Sequence, residues 1–181
     1  MVAFWTDRDF FCLLRPMPLP PLSVPPPPKN LDGKDYRIRP LKRGDRDNAF
    51  KLLATEGWPV PAGDQELAIS WVVQHPEMES FVAHDVASFS RLFGVITMSH
   101  RPQLKMGGRV ACIDLFLVAT EHRGKGVGTD LLAAALRRTE ALACKQIELP
   151  LPIERDSRHD FFEQSGFVRQ SSTLYVRQGA K

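Results

Sequence analysis

Three glycines at alternate positions, Gly124, Gly126 and Gly128, follow the apolar run Asp114-Leu-Phe-Leu-Val118 and precede a helical pattern. Glycine costs backbone entropy and brings no packing of its own. Three of them at the start of a helix therefore mark a backbone that something must approach closely. The first-turn N–H groups of a helix lack intrahelical acceptors, and the macrodipole adds partial positive charge there. Together they make an anion site. Arg123 and Lys125 add positive charge, and the predicted ligand is a phosphate or pyrophosphate.

The run Arg123-Gly-Lys-Gly126-Val-Gly128, placed after an apolar strand, resembles the acetyl-CoA signature of the GNAT superfamily of N-acetyltransferases. A second resemblance lies downstream. Members often end a helix with an aromatic, Tyr, three residues, Gly and Phe, and here Phe161-Phe162-Glu-Gln-Ser-Gly166-Phe167 stands in that place. The likeness spans residues 35–177. It implies a mixed α/β fold: a mostly antiparallel central sheet, flanking helices, and parallel fourth and fifth strands that splay apart to admit pantetheine.

Composition fits one such domain with an appendage. Of 15 prolines, 8 fall in residues 1–34, including Pro25-Pro-Pro-Pro28. That stretch reads as a flexible leader favouring polyproline II, and residues 35–181 as the domain. Arg15-x-x-Pro18-x-x-Pro21 also fits a ligand pattern for proline-binding domains. A net charge of +3 without a long basic run gives no sign of nucleic-acid binding. Cys12, Cys112 and Cys144 are odd in number and far apart, which argues against disulfides and zinc and for a reducing, cytoplasmic setting. No apolar run reaches the length of a membrane span.

Periodicity predicts a first strand at 36–41, a helix at 45–56 and a second helix capped by Asp64 and running to about Gln74. Strands are expected at 80–85 and 90–99, joined as a hairpin, and at 111–119. A helix at 124–143, a strand at 145–151 and a helix at 156–165 ended by Gly166 follow. A strand at 173–177 closes the sheet. Pro150 and Pro152 cannot donate to a ladder. They either end the fifth strand or sit where pantetheine enters.

The resemblance also implies roles. The backbone of Phe116, Leu117 and Val118 would pair with pantetheine, one amide polarising the acetyl oxygen. Arg123, Gly124, Lys125, Gly126, Val127, Gly128 and Thr129 would hold the pyrophosphate. Asp114, nine residues before Arg123, occupies a position where several members carry a catalytic Glu. It is an acid in an otherwise apolar strand, and alternation places it on the face of Phe116 and Val118. It is the candidate base; the plainer alternative is a structural Asp. Trp58, Asp114 and Tyr175 would face the acceptor, an amine on a small molecule or a protein. Acetyl-CoA is the expected co-substrate, with no metal, and a homodimer is compatible with this reading.

Two positions depart from the family pattern. Phe162 replaces the usual Tyr that protonates the thiolate, and phenylalanine has no proton to give. Arg155 replaces an Asn that contacts the cofactor. His159, one turn before Phe162, reads as a solvated or capping residue. A catalytically silent acyl-CoA-binding module is therefore the alternative. A dinucleotide-binding fold fits poorly, because the glycines are spaced G-x-G-x-G and one strand–helix–strand unit is present.

Overall fold

The computed structural model describes residues 35–151 and 157–170. The elements are β1 (Tyr36–Pro40), α1 (Arg46–Thr55), α2 (Ala62–Gln74), β2 (Met78–Asp85), β3 (Leu92–Gln103), β4 (Gly108–Val118), α3 (Val127–Ala141), β5 (Gln146–Glu148) and α4 (Ser157–Gln164). The chain divides after Leu149 into two compact units, the second containing α4. Residues 1–34, Arg155, Tyr175 and the expected strand at 173–177 lie outside the described residues.

The sheet order is β1-β2-β3-β4-β5. The first three pairings are antiparallel and β4–β5 is parallel, as the sequence led one to expect. Hairpins join β2 to β3 and β3 to β4. The second runs longer than periodicity indicates, because Arg101, Pro102 and Gln103 pair with Val110, Arg109 and Gly108. Pairing across the turn extends strands that have no apolar alternation of their own. Gly107, with φ of 60°, makes the left-handed turn between them.

Helices cover both faces, so β2 and the first half of β3 are buried almost continuously. Ala49, Phe50 and Leu52 of α1 and Ile69 of α2 pack with Val82, Val95 and Leu117 on one face. The other face meets α3, which contributes Val127, Leu131, Leu132, Ala134 and Ala135. Phe81, Ile96, Met98 and Ile113 are fully buried; each such side chain contributes about 1.5–3 kcal/mol of burial. A buried ion pair, Arg138 to Glu79 at 2.8 Å, ties α3 to β2.

Several boundaries differ from expectation for local reasons. The second helix starts at Ala62, with Pro61 as its N-cap and no side-chain cap. Asp64 lies inside the first turn, where its charge still suits the dipole. The third helix starts at Val127 rather than 124, because Gly124 and Gly126 have φ of 71° and 85°. It stops short of Ala143, itself left-handed at φ 53°. The fifth strand is three residues long and ends before Pro150. Gly166, with φ of 90°, follows α4 as expected.

One close approach sets the spacing of β3, β4 and α3. A Cβ at Gly94 would stand 2.8 Å from the Leu117 carbonyl oxygen and 2.9 Å from Leu131 Cδ1. Leu131 can rotate away, but a ladder carbonyl cannot. Gly94→Ala is expected to destabilise the protein by about 1–3 kcal/mol through overpacking, read as a lower urea midpoint at unchanged slope. A wild-type midpoint would show that the layers separate without cost.

Candidate active site

The edge of β4 leads directly into the glycine run. β5 pairs with Val110, Ala111 and Cys112 and stops, while β4 continues to Val118. Among the described residues no second strand lies beside β4 after Cys112. Phe116, Leu117 and Val118 form this extension. A short 3-10 turn (Thr120–His122) follows, then Arg123, Gly124 and Lys125, and Gly126 as the N-cap of α3. Val127, Gly128 and Thr129 make the helix's first turn, whose N–H groups have no acceptor within the helix. A Cβ at Gly124 would meet nothing within 4 Å. Its glycine is called for by the φ of 71°, not by a neighbour.

The cradle is braced from behind. The Tyr36 hydroxyl donates to Asp130 of α3 at 2.7 Å. Burial, and then Asp130, push that phenol's pKa up. His122 stacks on Phe93 with ring centroids 3.6 Å apart, and burial holds its imidazole below the ordinary range. Arg123 is engaged inward: its Nε donates to the Val118 carbonyl at 3.0 Å and its Nη2 to Glu56 at 2.5 Å. Neither His122 nor Glu56 is marked by any short sequence motif.

Asp114 does not share a face with Phe116 and Val118. Thr97 pairs with Leu115 and Met98 with Ile113, leaving Asp114 as the extra residue of a β-bulge. The bulge resets the alternation. Leu115 and Leu117 belong to the α1–α2 core, while Phe116 and Val118 oppose Ile96 and Gly94 on the α3 side. Ser99 donates to Asp114 at 3.1 Å, and Ser99 stands opposite Cys112, so Asp114 lies on their face. Its side chain is exposed, not enclosed by apolar neighbours. Arg101 and Glu148, paired at 3.1 Å, extend this polar cluster. Burial, then the Asp114 carboxylate, push the Cys112 thiol up to about 11.

Trp58 sits in the loop between α1 and α2 and is 60% exposed, free to meet a ligand. In the second unit, Phe162 is buried and packs edge-on against Phe161 and Phe167. His159 is buried as well, which corrects the expectation of a solvated residue. Among the described residues no group of three or more His, Cys, Asp or Glu is placed to hold a metal. No described helix is long and apolar enough to cross a membrane.

The profile of the Acetyltransferase (GNAT) family matches residues 46–167, a span that includes the strand edge, the glycine turn and α4. The chain belongs to the GNAT acetyltransferase family. Among GNAT relatives, glucosamine 6-phosphate N-acetyltransferase 1 of Oryza sativa subsp. japonica is 23% identical over 161 residues, covering 85% of this chain and 94% of that protein. Ribosomal-protein-alanine N-acetyltransferase from Brucella melitensis biovar Abortus 2308 superposes with a TM-score of 0.63 at 21% identity, over 80% of this chain and 99% of its own. AAC(6')-Iy, in complex with the bisubstrate analog CoA-S-monomethyl-acetylneamine, gives 0.67 at 20% identity over 81% and 100%. The names of these GNAT proteins point to three different acceptors. The shared property is the fold, and acetyl transfer is the activity that GNAT membership supports.

The Asp114–Cys112 contact can be read directly. Asp114→Asn removes the carboxylate that raises the thiol, so alkylation of Cys112 by iodoacetamide at pH 8.5 should accelerate roughly three- to tenfold. Mass spectrometry of the Cys112 peptide measures it. An unchanged rate would separate the two side chains.

Proposed function

We propose that this protein transfers an acetyl group from acetyl-CoA to a primary amine by direct attack in a ternary complex. One observation carries the reading: a β4 edge that outruns β5 continues into a left-handed glycine turn at the N-terminus of a 15-residue helix. A strand edge accepts an extended ligand by main-chain pairing, and a helix start accepts its phosphates. The residues fit acetyl-CoA on both counts. The backbone of Phe116, Leu117 and Val118 would hold pantetheine. Arg123, Gly124, Lys125, Gly126, Val127, Gly128 and Thr129 would hold the pyrophosphate.

The bound thioester would supply an activated acetyl group. The protein's remaining work concerns the amine. An alkylammonium with a pKa near 10.4 is neutral in only a few parts per ten thousand at pH 7, about 4–5 kcal/mol uphill. Asp114 is the proposed base, acting directly or through a water, since an exposed carboxylate is open to solvent. As the amine nitrogen bonds to the carbonyl carbon, the carbon–sulfur bond breaks. The nitrogen's proton passes to Asp114, and the thiolate leaves. No proton donor to that thiolate is assigned, because Phe162 cannot serve. Trp58 is proposed to face the acceptor, where an aromatic ring and a carboxylate suit an ammonium group. The N-terminal residues 1–34 are proposed as a leader dispensable for binding.

Placement of the cofactor is tested at the turn. Gly126→Val would force a β-branched side chain into φ of 85°. Acetyl-CoA affinity by calorimetry should fall at least about tenfold in Gly126→Val and Gly128→Val, with cooperative unfolding retained. Wild-type affinity in both would refute the placement.

The chemistry is tested separately. Asp114→Asn should reduce CoA release in an amine screen roughly tenfold or more at neutral pH. The loss should shrink at high pH, where free amine is abundant. Cys112→Ala should stay active, because a thiol held up to about 11 is a poor nucleophile at neutral pH. An active Asp114→Asn enzyme beside a dead, folded Cys112→Ala enzyme would replace direct transfer with an acetyl-cysteine route. Binding of acetyl-CoA with no turnover across the whole screen would favour a silent acyl-CoA-binding module.

A further inference from the structure

Glu56 closes α1, yet its side chain belongs to the opposite end of the site. Its carboxylate is 8% exposed. One oxygen accepts the Thr120 backbone N–H at 2.9 Å. The other accepts the Thr120 hydroxyl at 2.9 Å and Arg123 Nη2 at 2.5 Å. Three donors from the turn that opens the glycine run thus converge on one residue. The same Arg123 holds the last carbonyl of β4 through Nε.

On its own side, Glu56 is fixed to the loop that carries Trp58. The Glu56 N–H bonds the Leu52 carbonyl, the Gly57 N–H that of Ala54, and the Trp58 N–H that of Leu53 at 2.9 Å. Gly57 takes φ of 88° to make this end of the helix. The turn and the loop therefore share one carboxylate with little freedom between them. A charged acceptor that takes several hydrogen bonds is stronger than its neutral counterpart. A buried carboxylate left without those donors is costly.

We infer that Glu56 is a positioning residue that couples the glycine turn to the α1–α2 loop. Anion binding at the turn is thereby transmitted to Trp58, and the state of that loop is transmitted back to the turn. The inference rests on the proposal that acetyl-CoA occupies the turn. Arg123 is the physical link. Its guanidinium is already committed to Glu56, so any pull that a phosphate exerts on it is felt at the end of α1. Binding linkage of this kind is reciprocal.

The test uses the full chain with Trp5→Phe and Trp71→Phe, which leaves Trp58 as the single tryptophan. Acetyl-CoA is titrated by calorimetry and by Trp58 emission. The parent should bind and change its emission. Glu56→Ala should raise Kd roughly three- to tenfold and lose at least about half of the emission change at saturation. Glu56→Gln, whose amide oxygen can still accept one of the Thr120 bonds, should fall between the two. If Glu56→Ala unfolds, the Glu56→Gln comparison with the parent decides alone. Parental affinity and emission change in a folded Glu56 variant would overturn the coupling and leave the cofactor site standing. Binding without any emission change in the parent would overturn it too. No binding by the parent would remove the cofactor reading, and the coupling with it.

Discussion

β4 is held along its whole length by β3 and along only its first half by β5, and the geometry around the candidate site follows from that imbalance. A strand inside a sheet has both edges saturated. Here β3 supplies a ladder that runs down to Val118, interrupted once by the bulge at Asp114, which fixes the position of the strand. The shortness of β5 leaves the far half of the other edge without a strand among the described residues. The chain then needs a precise exit from β4, since any drift would misplace the glycine turn. Arg123 on the Val118 carbonyl, the Ala119 N–H on the Phe93 carbonyl and the His122–Phe93 stack all act at that exit.

The two faces of the sheet do different work. Under α3 the packing is tight enough that Gly94 has no room for a methyl group. A buried ion pair between Arg138 and Glu79 spans the same interface. His100, also buried on this side, has neither ring nitrogen hydrogen-bonded among the described residues. Burial, with Arg109 next, depresses its pKa. Such a group favours a neutral ring. The α1–α2 face changes character along its length, from the apolar contacts of Leu115 and Leu117 to Ser99, Asp114, Arg101 and Glu148. Apolar cover gives rigidity where the sheet must hold, and polar groups gather where ligand chemistry is proposed.

The glycine turn and α3 were legible because their signals are local. Three glycines in five residues, a preceding apolar run and a helical stripe all sit within one short segment. The terminator Gly166 and the β2–β3 hairpin were legible for the same reason. What escaped depends on distance or on an assumption of regularity. Glu56 lies 64 and 67 residues from its partners, so nothing beside it announces its role. The face of Asp114 was misassigned because strict alternation was carried through a strand that breaks it. The start of α2 was misplaced because Asp64 is a good cap by type, whereas Pro61, with its fixed φ, holds that position.

The bulge at Asp114 makes β4 sensitive to length in a way it is not sensitive to composition. Its extra residue turns the strand over midway, so that the Leu115 and Leu117 side chains enter one helical layer and those of Phe116 and Val118 the other. Exchanging one apolar residue for another along this segment leaves that division intact. Inserting one residue after Leu115 does not: the side-chain period is two, and Phe116, Leu117 and Val118 would swap layers at once. Leu117 would then be driven against α3, where Gly94 already leaves no slack, and the bulky ring of Phe116 into the α1–α2 core. Asp114 is the one residue this ladder can spare, since without it Ile113 and Leu115 would still stand opposite Met98 and Thr97. Past the bulge, the segment that leads to the glycine turn can thus vary in its letters while its count of letters stays fixed.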